Sequence, residues 1–586
     1  LKKDLKLIEV FSITTGAMLS SGLFLLPGLA FVKAGPALVL AYIVAGLLAM
    51  TGMLSQAELS TAMPKSGGTY YYVMRSMGTA IGTVYGIITS MSLILKSAFE
   101  LMGIATFMRI VLELGFSVTF ENIFVRIIAV GVCAFFIFIN LISTKGAGRI
   151  QVIFVLIIIT ALTVYVLKGI PYINIHHFQP FAPKGALAVF STAGFVFVSY
   201  GGLLKIASIA EEIKDPGRVL PQAMIISLIV VVFIYTLTIF VTIGVLNASS
   251  LSESLSPISD SANIFLGKSG MIVLSIVAIF AFSSAANAGI MGASRYPLAL
   301  SRDNLLPEFL SSINNRYQSP HVSLTLTGII TAGSIFLDLD SIIKAASSVL
   351  ILTYIFSCLA NIIMRESKLQ NYQPKFRAPL YPWIQIIGII GCGFLLLEIG
   401  RQAILASMIL VVLGIIIYFI YGRRSEKRKY ALMHLIERIT AKELTDHSLE
   451  SELKDVLRER DDIIKDRFDH LIEACIVLDF QDTMPLDEFF RVVSEKMSDS
   501  LKIKSKALYK MLVSREKESS TALSPTLAIP HIIIKGDHIF DILLARSKEG
   551  IYFSDSAPTV HAIFHIFYAI KINLLILTQK YLLQYE

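Results

Sequence analysis

Charge is what this chain has least of. Asp, Glu, Lys and Arg make up 16% of its 586 residues, while 55% are hydrophobic. With a mean hydropathy of +0.70, that scarcity excludes a soluble globular protein of this length. Cysteine is scarce as well. Cys133, Cys358, Cys392 and Cys475 show neither paired nor metal-like spacing, which excludes a disulfide framework and a zinc site. Three of them fall in apolar stretches and read as small buried hydrophobes. No cleavable signal peptide is expected, because the basic start leads into an interrupted apolar run and directly on into a second one.

What the chain has instead is a series of apolar segments long enough to cross a bilayer. They run over 8–31, 36–57, 80–113, 123–143, 150–169, 187–211, 220–246, 270–298, 321–337, 342–364, 381–399 and 402–421. Twelve crossings put both ends of this region on one side. Lys2, Lys3, Lys6, Lys145, Arg149 and Arg302 fall on that side, where basic residues outnumber those opposite, such as Arg109, Lys168 and Arg401. The bias places both termini in the cytoplasm of a cytoplasmic (inner) membrane. It also accounts for most of the +8 net charge, so basicity here is topology and implies no nucleic-acid partner.

Two of these segments are interrupted. The first carries Gly16-Ala-Met-Leu-Ser-Ser-Gly-Leu-Phe-Leu-Leu-Pro27, and the sixth carries Ser199-Tyr-Gly-Gly202. A helix in lipid must satisfy its own backbone, so a break is tolerated only where the freed groups face protein or a cavity. Paired breaks in corresponding positions of two halves point to a transporter's substrate site. The N–H groups of Ser21 and Gly22, beside Ser20, suit a carboxylate. Freed carbonyls at Met18 and Leu19, and at Tyr200 and Gly201, suit an ammonium group. An α-amino acid offers both at one carbon, and Gly22 and Gly202 leave room for backbone to approach it.

Charges inside spans are costly and read first as functional. Lys96 and Glu100 sit four apart in the third span and can pair on one face; they are candidates for coupling, with a structural ion pair as the alternative. Lys205 follows the second break and is expected at or near the substrate cavity, where burial could make it a proton carrier. Glu58, at the cytoplasmic end of the second span, reads as a gating or capping residue. His176 and His177 fall in an external loop and are given no role.

After Tyr421 the composition changes. Arg423–Lys429 is a basic cluster flanking the membrane, and apolar residues then recur at helical spacing through Leu471 in two amphipathic helices. From about Ala474 a small mixed domain begins, with a strand at 476–480 and helices at 486–497 and 504–515. The expected organisation is a permease domain over 1–421, a helical linker over 422–474 and an α/β domain over 475–586.

The first domain resembles the amino-acid/polyamine/organocation permeases. The resemblance rests on Gly16, Ser21-Gly22-Leu23-Phe24 and Pro27, then Gln56-Ala-Glu-Leu59, Pro64-Lys-Ser-Gly-Gly68 and Tyr70-Tyr-Tyr72. It continues through Glu211–Pro216, Arg218-Val-Leu-Pro221 and Asn287–Pro307. It implies an α-helical integral membrane protein with a leucine-transporter-like inverted repeat of five plus five helices and two more appended. Ser20 replaces the family's usual glycine, and Leu204 stands where many members are polar. Some proton-coupled relatives have a lysine in helix five in place of sodium; the position matched to it here is Ile158. Ser283 and Ser284 offer hydroxyls to a sodium ion instead.

The last domain resembles the IIA domains of the phosphotransferase system, fructose/mannitol type. The residues are Arg515-Glu516, Ser520-Thr521 and Leu527-Ala-Ile-Pro-His531. The resemblance implies a phospho-accepting His531, with Arg515 steadying phosphoryl oxygens and a phospho-carrier protein as partner. Ala522, Ser524 and Thr526 replace loop glycines, and Lys571–Glu586 does not resemble the family's second-histidine helix, so a truncated domain is expected.

The expected function is secondary active transport of an amino acid or related amine by alternating access, regulated by the IIA-like domain. No cofactor is required beyond sodium or a proton as coupling ion, and the chain is not expected to be an enzyme. A phosphotransferase-linked carbohydrate permease and a sensor that binds without transporting are the alternatives.

Overall fold

The computed structural model describes residues 5–63, 69–116, 122–142, 147–203, 206, 213–314, 319–369, 372–422, 430–433, 472, 475–518, 521–524, 526–534, 540–552 and 560–569. The chain divides into two compact units, residues 1–461 and 462–586. The expected linker helices of 432–471 fall almost entirely outside the described residues, as do Lys205, Ser520 and Pro64–Gly68.

The first unit is helical. It begins with α1 (Leu7–Met18), α2 (Ser21–Phe24), α3 (Leu26–Ala34) and α4 (Leu38–Ala62). There follow α5 (Thr69–Met77), α6 (Thr79–Phe116), α7 (Asn122–Ile142), α8 (Ala147–Gly169) and α9 (Gly185–Val196). Next come α10 (Pro216–Val245), α11 (Ala248–Glu253), α12 (Pro257–Arg302) and α13 (His321–Ser334). The unit closes with α14 (Leu339–Glu366), α15 (Trp383–Glu398) and α16 (Arg401–Ile420). Among the described residues eight helices are long and apolar enough to cross a membrane, and α1, α15 and the helix through Tyr200 are shorter apolar ones.

Local chemistry sets the ends. The Glu9 carboxylate accepts the Lys6 N–H at 2.9 Å, satisfying an orphan donor at the start of α1 where negative charge also suits the helix dipole. Pro216 opens α10 at a position that has no intrahelical donor to lose. In α12 the chain kinks at Gly267, whose φ is +66°; a left-handed residue there favours glycine. The apolar run read from 270 is therefore the straight part of a longer helix.

Helix α6 is the hub, packed against α12 and α14. Phe24, just past the first break, meets Phe107 of α6 and Phe282 of α12 edge to face, with ring centroids 6.4 and 6.1 Å away. Phe107 and Phe282 close the triangle at 5.3 Å. Each such pair contributes about 0.5–1.5 kcal/mol beyond burial. They fix the interrupted segment against the two long helices.

The second unit pairs strands β1 (Ile476–Phe480), β2 (Met484–Pro485), β3 (Ala522–Ser524), β4 (Leu527–Ala528), β5 (His531–Ile534), β6 (Phe540–Tyr552) and β7 (Val560–Ala569) with two helices. The helices are α17 (Leu486–Leu501) and α18 (Ser505–Glu518). The sheet runs β1-β6-β7-β4-β3, with β2 on β6 and β5 on β7. Phe489, Phe490, Val493 and Met497 of α17 and Leu508 and Leu512 of α18 form its core with Leu543, Ile551 and Val560 of the sheet. That spacing, one residue per helical turn or two, is the amphipathic pattern of a helix lying on a sheet.

Candidate functional site

Among the helical hydrogen bonds that the first break opens, the one from Ser21 has its two halves taken up separately. In an unbroken helix the Ser21 N–H would bond the Ala17 carbonyl four residues back. Here the last such bond is Leu19 N–H to Thr15 at 2.8 Å, and Ser20 N–H turns back to Met18 at 2.8 Å. Ser20 has φ −142° and ψ −135°, outside the helical region. The freed Ala17 carbonyl accepts from Lys96 Nζ at 3.0 Å. The freed Ser21 N–H donates to Glu100 Oε2 at 3.1 Å, and the Ser20 hydroxyl donates to Glu100 Oε1 at 2.7 Å. Both charged side chains come from α6, one turn apart. Of the two readings, a direct ion pair is not what the described residues show: each reaches α1 or its break, because main-chain groups without partners in an apolar interior outbid a one-turn ion pair.

Tyrosines take further carbonyls at the breaks. Tyr235 of α10 donates to the Met18 carbonyl at 2.5 Å, and Tyr42 of α4 donates to the Gly22 carbonyl at 2.6 Å. Tyr200 OH donates to the Tyr42 carbonyl at 2.7 Å, and Tyr354 of α14 donates to the Tyr200 carbonyl at 3.3 Å. Sequence reasoning missed Tyr42, Tyr235 and Tyr354. The available signal was a hydroxyl in the middle of an apolar helix, which needs a partner once buried.

At the second break α9 passes into a 3-10 turn over Phe197–Tyr200. Ser347 of α14 serves both sides, accepting from Val198 N–H at 3.1 Å and donating to the Phe195 carbonyl at 2.7 Å. The two breaks touch through their glycines. A Cβ on Gly22 would lie 2.8 Å from Ser199 Cα, and one on Gly202 would lie 2.8 Å from the Ala17 carbonyl carbon. Neither distance accommodates a side chain. Met18, Leu19, Ser20, Ser21, Gly22, Tyr200 and Gly202 are all buried around this contact, as is Gly201.

The other candidates are spread more widely. Ser283 and Ser284 lie half-buried on α12, and the Ser284 hydroxyl donates to the Gln151 side-chain carbonyl. Gln151, near the start of α8, also lies against Gly16, where a Cβ would collide with its amide. Ile158, the position matched to a family lysine, packs in the apolar core. The helix-five side chain that reaches both α1 and α12 is thus the neutral Gln151, which the sequence comparison did not single out. Glu58 lies away from the breaks, at the end of α4. It accepts Arg365 Nε at 2.6 Å, Ala378 N–H at 2.7 Å and Tyr372 OH at 3.2 Å, with Arg365 Nη2 closing a bidentate pair. Burial, then the Glu58 charge, push the Tyr372 hydroxyl well above its usual range, so it stays a donor.

In the second unit, Arg515 Nη2 lies 3.2 Å from His531 Nε2. His531 Nδ1 lies 3.2 Å from the Ile529 carbonyl. A carbonyl can only accept, so Nδ1 carries the proton and Nε2 keeps its lone pair toward the guanidinium. Glu516 holds the adjoining loop by accepting Thr521 N–H at 3.0 Å and the Thr521 hydroxyl. The helix α18 thereby places an arginine beside a half-buried imidazole on β5.

A helical bundle with meeting breaks, followed by a small α/β unit, defines a permease fused to a phosphotransferase-type domain. Residues 5–421 match the amino acid permease family model, and the chain belongs to that family. Residues 470–574 match the EIIA 2 domain of the phosphoenolpyruvate-dependent sugar phosphotransferase system. The branched-chain amino acid permease BcaP of Bacillus subtilis is 26% identical over 73% of this chain and 94% of its own. BcaP of Lactococcus lactis is 27% identical over 72% of this chain and 94% of its own. The methylthioribose transporter of Bacillus subtilis is 24% identical over 72% and 94%. Among solved structures, the nitrogen regulatory protein IIA-Ntr of Neisseria meningitidis is 23% identical, covering 18% of this chain and 73% of its own, with a TM-score of 0.17. The relatives are transporters, and this chain is a multi-pass membrane transporter rather than an enzyme.

Proposed function

We propose that the chain is a secondary active transporter that carries an amino acid across the cytoplasmic membrane by alternating access. Both termini of the permease are cytoplasmic in this reading, and its helices form a five-plus-five inverted repeat with two more appended. The observation that carries it is the contact of the two breaks through Gly22 and Gly202. Polar main chain in an apolar interior is tolerated where it serves a ligand, and the repeat interface is where transporters place one. The substrate's carboxylate takes Ser20, Ser21 and Gly22, and its ammonium takes carbonyls of Met18, Leu19, Tyr200 or Gly201. Side chains such as those the BcaP relatives are named for fit the apolar surroundings. Ser283 and Ser284 are the sodium candidates and Lys205 the proton candidate.

The IIA-like unit regulates transport. His531 Nε2 attacks phosphorus on a phosphohistidine of a carrier protein, forming one N–P bond as the carrier's breaks, while Arg515 holds the phosphoryl oxygens. The added negative charge shifts a conformational equilibrium in the permease. The test is uptake of radiolabelled leucine, isoleucine and valine into proteoliposomes under a sodium gradient, a pH gradient or neither. Uptake driven by one gradient supports the reading. Binding without net movement in any condition would identify a sensor instead.

A further inference from the structure

The break in α1 is held open by an ammonium and a carboxylate, both supplied by the protein. Lys96 and Glu100 are 4% and 0% exposed. Among the described residues they form no ion pair with each other within 4 Å, although they sit one turn apart on α6. Instead Lys96 Nζ takes the Ala17 carbonyl, and Glu100 takes the Ser20 hydroxyl and Ser21 N–H. A positive group on a freed carbonyl and a carboxylate on a freed N–H are what the two ends of an α-amino acid would provide. We propose that Lys96 and Glu100 are an internal stand-in for the substrate. They occupy the break when the carrier is empty, and an arriving zwitterion displaces them, its ammonium taking the Ala17 carbonyl from Lys96 in addition to the carbonyls assigned above. The idea rests on the amino-acid reading above.

Charge accounting favours exchange of partners over a fixed prop. With the site empty, each charge is bonded to main chain and their sum is zero. With a zwitterion bound, Lys96 and Glu100 are released together and can close on each other at i, i+4 spacing. No state leaves a lone charge in the apolar interior, where it would cost several kcal/mol. The donors that hold Glu100 are neutral, so a competing carboxylate meets no opposing ion pair. The consequence is kinetic. A carrier that fills its own site can occlude while empty and return, so it performs net transport. A carrier without the stand-in must refill with substrate to return, and so performs exchange.

The experiment uses the full chain and radiolabelled L-leucine, comparing wild type with K96M/E100Q, which is neutral and of similar shape. Three quantities are read: leucine Kd, net uptake into empty proteoliposomes, and counterflow into leucine-loaded ones. The expected result is a Kd at least three-fold tighter, because the internal competitor is gone, and a counterflow-to-uptake ratio at least ten-fold higher. The conservative K96R/E100D should return the ratio most of the way to wild type. A weaker Kd with an unchanged ratio would make the pair a substrate contact or a structural prop, and would overturn the proposal. If K96M/E100Q does not insert, Glu100→Gln alone removes the competing carboxylate and touches no group assigned to the substrate; a Kd that fails to tighten is then the overturning result. A wild-type chain that binds none of leucine, isoleucine and valine would sink the substrate reading itself, and the stand-in with it.

Discussion

Among the described residues of the permease unit two carboxylates are fully buried, Glu58 and Glu100, and they are satisfied in different ways. Glu58 has a guanidinium across both oxygens, and a tyrosine hydroxyl and the Ala378 N–H besides. Glu100 has a serine hydroxyl and one backbone N–H, while the nearest cation on its own helix bonds elsewhere. A full ion pair with every lone pair used is a clamp, since removing one partner strands a charge. A carboxylate on neutral donors can be replaced by another carboxylate. The end of α4 is thus built to hold residues 372–378 in place, and the break in α1 is built to change partners.

The largest effect should come from the clamp. Arg365→Gln leaves Glu58 buried without its counter-charge, at a cost of about 3–5 kcal/mol. The expected outcome is loss of folded protein in detergent, or a large drop in Tm followed by fluorescence. Glu58→Gln with Arg365→Gln should recover most of it, because no charge is then stranded. Equal melting of single and double variants would show that the pair does not carry this end of the bundle.

Next in size is the contact between breaks. Gly22→Val or Gly202→Val forces one interrupted segment off the other, an overpacking of roughly 1–3 kcal/mol. Leucine binding should be abolished while the protein remains inserted and elutes as wild type. Unchanged calorimetric affinity in both variants would remove these glycines from the site.

Much of this architecture was legible beforehand, for physical reasons. Lipid imposes long apolar runs, so a multi-pass helical unit followed from hydropathy, with eight helices among the described residues long and apolar enough to cross, and Gly and Ser in such runs located both breaks. What was not legible was who answers the freed groups. Tyr42, Tyr235 and Tyr354 bond carbonyls that are 20 to 217 positions away in sequence, and Gln151 meets Ser284 from 133 positions away. No periodicity within one helix reports such partners. Lys96 and Glu100 were visible as charges in a span, but i, i+4 spacing suggested the wrong partner. In the second unit the strand at 476–480 was read from its composition, and the Arg515–His531 pair from its resemblance. The sheet order needed the structure, because β5 and β7 lie far apart in the chain.

The proposed phosphorylation site should give a smaller, local effect. His531→Ala in the full chain should abolish labelling from phosphoenolpyruvate and the general phosphotransferase proteins. Arg515→Ala should slow it by one to two orders of magnitude, the loss of a charge-assisted hydrogen bond of roughly 1.5–3 kcal/mol. Melting should hardly change in either, in contrast with the Arg365 variant. Persistent labelling in His531→Ala would move the acceptor elsewhere.

The smallest effect completes the comparison with a third carboxylate. Asp479 on β1 faces Arg546 on β6 in a parallel register pair, with Arg546 Nε 3.1 Å from Oδ1. The geometry is bidentate, like that of Glu58, but both side chains are exposed. Hydrogen bonding to Arg546 holds the Asp479 carboxyl below its usual value. A depressed folded value means that the stabilisation is present above the unfolded pKa of about 3.9 and is lost as pH falls through the folded one. The pair therefore contributes equally across neutral pH and fades only in acid. Water and salt screen it, and an exposed pair must also order two side chains. Asp479→Asn should leave the melting temperature of the second unit at pH 7 within the scatter of replicate scans, and insensitive to added salt. A loss at pH 7 comparable with that of Arg365→Gln would mean that pairing geometry, rather than burial, sets what a carboxylate contributes to this protein.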